Sequence, residues 1–128
     1  MTARFEVYKC EVCGNIVEVL HEGVGTLVCC GQPMTKLVEK VQEVGNEKHL
    51  PVLEETNSGT LIKVGSIPHP MEEKHYIEWI QVKRSNGESL RIFLKPGEEP
   101  QATVPWKIQE IVEAREYCNI HGLWSKRV

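Results

Sequence analysis

Four of the five cysteines fall within the first thirty residues, as Cys10, Cys13, Cys29 and Cys30. The stretch that carries them reads as a short meander. "FEVYK" alternates, "NIVEVL" is β-rich, "HEGVG" supplies turn glycines, and "TLVCC" returns as a strand before "GQP". So small a meander cannot bury a core of its own, and at that size a structural metal commonly supplies the stability. "CEVC" is a C-x2-C knuckle whose tight turn lets two sulfurs converge, and the adjacent pair Cys29-Cys30 can supply two more. A disulfide between neighbours would need a strained ring, since disulfides hold their Cα atoms roughly 4.4 to 6.8 Å apart. Four thiolates suit tetrahedral zinc or iron. A structural zinc ribbon is the ordinary reading of such a set. Ribbons, however, usually close with a second C-x2-C, whereas adjacent ligands open one sulfur–metal–sulfur angle and predict a distorted tetrahedron.

Composition excludes several partners. Lys plus Arg number 15 against 18 Asp plus Glu, a formal charge of −3, so no basic field calls for nucleic acid or an anionic membrane. "MTARFEVYKC" has no apolar run of signal-peptide length, and nowhere do roughly 18 apolar residues run together. The expected address is the cytoplasm. There an odd cysteine count argues for metal or redox thiolates over a disulfide framework.

From residue 49 onward, β-prone runs recur between turn signals: "HLPVLEE", "TLIKVGS", "HYIEWIQVK", "SLRIFLK", "ATVPWKI" and "EIVEAREYC". The pattern predicts an all-β chain whose larger part, 37–128, is an immunoglobulin-like antiparallel β-sandwich following the small module 1–36. Asn86-Gly87 is a hairpin turn signal. In "KLVEKVQEVGNEK", Leu37, Val41 and Val44 fit a helical stripe, while Val38 and the flanking charges fit a linker or edge strand, and the sequence leaves these open.

The second part also holds four of the five histidines and the remaining cysteine: His49, His69, His75, Cys118 and His121. H-x5-H and C-x2-H spacings in loops between strands can converge at one end of a sandwich. Pro68 and Pro70 bracket and stiffen His69. The remaining histidine, His21 in "VLHEGVG", reads as an ordinary surface residue. Four imidazoles and a thiolate exceed what tetrahedral zinc takes and fit iron with an open position. A blue-copper site would leave two imidazoles surplus.

"YKCEVCGNIVEVL", "LVCCGQPM", "EKHLPV", "HPMEEKHYIEWI", "FLKPGEEP" and "AREYCNIHGLW" together resemble the desulfoferrodoxins, the two-iron class of superoxide reductase, over essentially the whole chain. The resemblance implies two iron ions per chain. One is an iron–tetrathiolate centre at Cys10, Cys13, Cys29 and Cys30 in a desulforedoxin-like domain. The other is a catalytic ferrous centre with His49, His69, His75 and His121 equatorial and Cys118 axial. It further implies a cytoplasmic homodimer that reduces superoxide to hydrogen peroxide with electrons from a donor protein such as rubredoxin. Relatives often carry a histidine where this chain has Leu123, a departure that touches no ligand.

"EK" before His49 is, on its own, a solvated charged pair. By resemblance, Lys48 lies beside the open position and Glu47 swings in to ligate ferric iron after turnover. Glu116, two residues before Cys118, shares its strand face and is either a supporting carboxylate or an exposed one. Glu72, Glu73 and Lys74 read as a solvated loop. A non-catalytic two-iron electron-transfer protein is the alternative of a different class.

Overall fold

The computed structural model describes residues 1–42 and 48–128, and the chain divides into two compact units, Met1–Val38 and Glu39–Val128. Among the described residues there is no α-helix; β-strands and one 3-10 turn at Ile108–Glu110 carry the regular structure.

In the first unit, β1 (Val7–Lys9) is the centre of a three-stranded antiparallel sheet, flanked by β2 (Ile16–Glu18) and β5 (Thr35–Lys36). A two-residue ladder joins β3 (Val28–Cys29) to β4 (Gln32–Pro33). Its buried apolar side chains are Val7, Cys10 and Val19, while Val12, Leu20, Val24 and Val28 stay exposed. So thin a core leaves most of the unit's stability to whatever the cysteines bind.

The second unit is a two-sheet sandwich. One sheet has the order β10 (Gln101–Val104), β7 (Gly59–Val64), β6 (Pro51–Thr56); the other has β12 (Gly122–Arg127), β11 (Ile111–Cys118), β8 (Ile77–Arg84), β9 (Ser89–Phe93). All the pairings are antiparallel. The core runs between the sheets, with Ile62, Val64, Ala102 and Val104 from one meeting Ile77, Ile80, Val82, Ala114 and Cys118 from the other. Asn86-Gly87 turns β8 into β9, with Gly87 at φ +94°.

The helical option for the stretch after residue 36 does not hold for residues 37–42. Lys40 instead pairs with β12: its N–H donates to the Leu123 carbonyl and its carbonyl accepts from the Ser125 N–H, both at 2.9 Å. Extended pairing of that kind leaves no helical hydrogen bonds. Val44 lies outside the described residues.

β11 departs most from simple alternation. Glu113, Arg115 and Glu116 are all essentially buried. Arg115 donates through Nε and Nη2 to Gln81 Oε1 (2.9 and 2.5 Å) and through Nη1 to Glu39 (3.1 Å). Burial alone would raise the Glu113 carboxyl, but Lys83 at 2.5 Å and the Ser125 hydroxyl hold it at about 2. A buried strand can keep Glu113 and Arg115 because each finds a charged or hydrogen-bonding partner.

Candidate metal centres

The four N-terminal cysteines converge. Cys13 Sγ lies 3.6 Å from Cys29 Sγ, which lies 3.9 Å from Cys30 Sγ, and all four sulfurs are free thiols within 4.8 Å of one another. A tetrahedral ion with bonds of about 2.3 Å separates its sulfurs by about 3.8 Å, so the set matches one metal. Cys10 is buried and the other three reach the surface. The Cys13 N–H donates to Cys10 Sγ at 3.4 Å and, with the Val12 N–H, lowers that thiol to about 6, favouring the ligating thiolate. Hydrogen bonds from Cys13 and Cys29 push Cys30 up to about 12, so the metal-free cluster holds protons that a cation would displace. Bringing adjacent sulfurs inward requires an unusual backbone: Cys30 sits at φ +52°, a left-handed conformation costing about 1 to 2 kcal/mol for a residue with a Cβ. Gly31, at φ +74°, continues that turn without the penalty.

The second cluster is a closed ring of imidazoles. His49 meets His69, His69 meets His75, His75 meets His121 and His121 meets His49, with centroids 4.7 to 5.0 Å apart and planes 67 to 83° apart. His49 Nε2 lies 3.2 Å from His69 Nε2 and 3.1 Å from His121 Nδ1. Nitrogens at right angles on one ion, with bonds of about 2.1 Å, would be about 3.0 Å apart. Cys118 Sγ is 3.8 Å from His121 Nδ1 and is fully buried. The residues fit a resident metal on a further observation: His75 Nε2 is buried with no hydrogen-bond partner, which an imidazole avoids unless the lone pair is to be used.

Each ligand is aimed by its local structure. His49 leads into β6, while His69 and His75 lie in the loop between β7 and β8. His69 Nδ1–H donates to the Pro70 carbonyl at 2.7 Å, leaving the Nε2 lone pair bare. Burial, aided by the neighbouring imidazoles, lowers His69 to about 4, so its ring is neutral at ordinary pH. The C-x2-H knuckle between β11 and β12 brings the His121 N–H to Cys118 Sγ at 3.4 Å. Gly122, at φ +86°, reverses the chain there. Burial raises the Cys118 thiol, as does the Glu116 charge, while the His121 and Ile120 N–H groups and Lys40 work against them.

Three supporting residues escaped the sequence reading. Asn119 accepts from the Tyr76 N–H at 3.0 Å and donates to the Lys74 carbonyl at 3.1 Å, tying the His75 loop to the knuckle. Trp124 stacks on His49 at 4.6 Å and 14°, and its Nε1–H donates to the His121 carbonyl at 3.2 Å. Lys40 Nζ donates to the same carbonyl at 2.7 Å. Lys40 and Trp124 lie outside every ligand spacing, and Asn119 fills an unspecified position within C-x2-H, so only the folded register exposes their contacts. Of the other sequence candidates, Lys48 is half-buried directly before His49, Glu116 is buried rather than exposed, and Glu47 lies outside the described residues. Glu72, Glu73 and Lys74 are exposed.

Residues 41–127 match the family profile described as desulfoferrodoxin, and residues 2–37 match the one described as desulfoferrodoxin, N-terminal domain. The chain belongs to the desulfoferrodoxin family. Among its relatives, the desulfoferrodoxin of Syntrophotalea carbinolica is 56% identical over 98% of each chain. The desulforedoxin of Megalodesulfovibrio gigas is 68% identical over 24% of this chain and 84% of its own. Among solved structures, the superoxide reductase from Treponema pallidum superposes with a TM-score of 0.78 at 26% identity, covering 95% of this chain and 97% of that one. Desulfoferrodoxins are two-iron proteins, and this member carries a four-cysteine and a four-histidine, one-cysteine ligand set.

Proposed function

We propose that this desulfoferrodoxin is a superoxide reductase: superoxide takes up one electron and two protons to give hydrogen peroxide, and no dioxygen is released. The closed ring of four imidazoles with the buried Cys118 sulfur within 4.8 Å of their nitrogens is the observation that carries the reading. Ferrous iron, when held by His49, His69, His75, His121 and Cys118, would supply the electron. The chain's own groups do the rest. Cys118, as a thiolate, donates charge and stabilises the oxidised state, so the site stops after one turnover and waits for a donor. Lys48 offers a cation to an anionic substrate that the overall charge of −3 would mildly repel. Glu47, its neighbour, supplies the carboxylate that closes the site after turnover.

In this reading residues 1–36 form the tetrathiolate domain, with iron on Cys10, Cys13, Cys29 and Cys30, and residues 37–128 form the catalytic domain. The exposed sulfurs of Cys13 and Cys30 suit electron entry from a rubredoxin-type donor. The protein works as a cytoplasmic homodimer. Among the described residues no helix is long and apolar enough to cross a membrane.

The reduced protein, mixed with a superoxide pulse, is expected to consume it stoichiometrically, form peroxide and evolve little dioxygen. Sustained dioxygen release without a donor, at half the superoxide consumed, would make it a dismutase. No consumption would make it an electron carrier.

A further inference from the structure

Lys40 is held in place by more than its side chain. Its backbone pairs on both sides with β12, through the Leu123 carbonyl and the Ser125 N–H. From there Nζ reaches the His121 carbonyl at 2.7 Å and sits 5.2 Å from the centroid of the Trp124 ring. The indole between them stacks on His49 and donates to that same His121 carbonyl. One imidazole, that of His49, and the backbone of a second, His121, are therefore held by one cation–indole pair, and the cation bonds the knuckle that presents Cys118.

We propose that Lys40 and Trp124 are positioning residues of the second centre. Trp124 fixes the plane of His49, and Lys40 clamps the Cys118–His121 knuckle while its positive charge favours the reduced state of the metal held there. The physical grounds are separate for each. An imidazole ligand has a free rotation about its ring axis that only neighbouring groups can stop, and groups supporting metal ligands are worth about 10- to 100-fold in affinity. A fixed cation near a redox centre stabilises the form carrying one more electron, by an amount that ionic strength reduces at an exposed site. Lys40 is exposed, so its electrostatic effect must be salt-sensitive and its clamping effect must not.

This inference rests on the second cluster being a metal centre and is independent of its reaction with superoxide. The test uses the full chain loaded with iron. At low salt, Lys40→Met is expected to shift the ferrous-to-ferric ratio at a fixed ambient potential roughly five-fold toward ferric and to move the visible thiolate band. Lys40→Arg should restore the ratio, and added salt should shrink the difference between Lys40→Met and the parent. Trp124→Leu should release metal to a chelator roughly ten-fold faster, whereas Trp124→Phe, which keeps an aromatic face on His49, should stay close to the parent. A parental ratio in Lys40→Met at low salt would overturn the role of Lys40. Equal release from the Leu and Phe variants would overturn that of Trp124. Should the Leu variant not fold, loss of metal from folded Trp124→Phe as rapid as from Trp124→Ala would do the same.

Discussion

Lys48 is the residue proposed to add attraction for an anion to a cluster of five donor side chains. The five donor atoms define where an electron leaves, but nothing in them attracts an anion. Lys48→Ile is expected to slow the bimolecular reaction with superoxide by roughly ten-fold and to flatten its dependence on ionic strength. Pulse radiolysis over a salt series measures both, and an unchanged salt slope would return Lys48 to an ordinary solvated charge. Most of the two clusters was legible in the sequence because each spacing, C-x2-C, C-C, H-x5-H and C-x2-H, records a local turn, whereas His49 lies in no such spacing and joins its cluster only through the fold. Lys40, Asn119 and Trp124 were not legible, because their contacts span up to 81 residues and depend on which strand lies beside which.

At the scale of elements, β11 ends in Cys118 and also carries an unusual load of buried charge. Glu113 is the group to test. Its carboxyl is held at about 2 in the folded protein against an ordinary value of 4.5. A folded value below the unfolded one contributes stability that is complete above about pH 4.5 and is lost as the pH falls toward 2. Glu113→Gln should therefore lower the melting temperature at pH 7 and flatten its decline between pH 4.5 and 2, as calorimetry of metal-free protein would record. Turn signals and β-prone runs anticipated β6 to β11. β12, "GLWSKR", was missed because it has no β-branched residue and no alternation; its pairing with β11 over six residue pairs creates it. Glu116 was undecided for a related reason: two residues' spacing fixes its face, but only the folded chain buries it.

At the scale of the whole molecule, the two units face the loss of metal unequally. Chelation is expected to unfold residues 1–38, whose buried apolar set is three side chains, while the sandwich keeps its sheets. Amide resonances of the two units, followed through a chelator titration, would show one set collapse and the other persist. Uptake of metal at neutral pH should release protons, chiefly from Cys29, Cys30 and Cys118, whose thiols all lie above their ordinary value. The ring of imidazoles has one more consequence. His49 leads into a strand of one sheet and His121 into a strand of the other, and they are 72 residues apart in the chain. An ion joining them is a cross-link that ties off most of the second unit as a single loop. A covalent staple around a loop of that length would remove on the order of 4 kcal/mol of conformational freedom from the unfolded chain. The centre that exchanges an electron with the substrate is thus also a brace between two sheets that their apolar core already holds together.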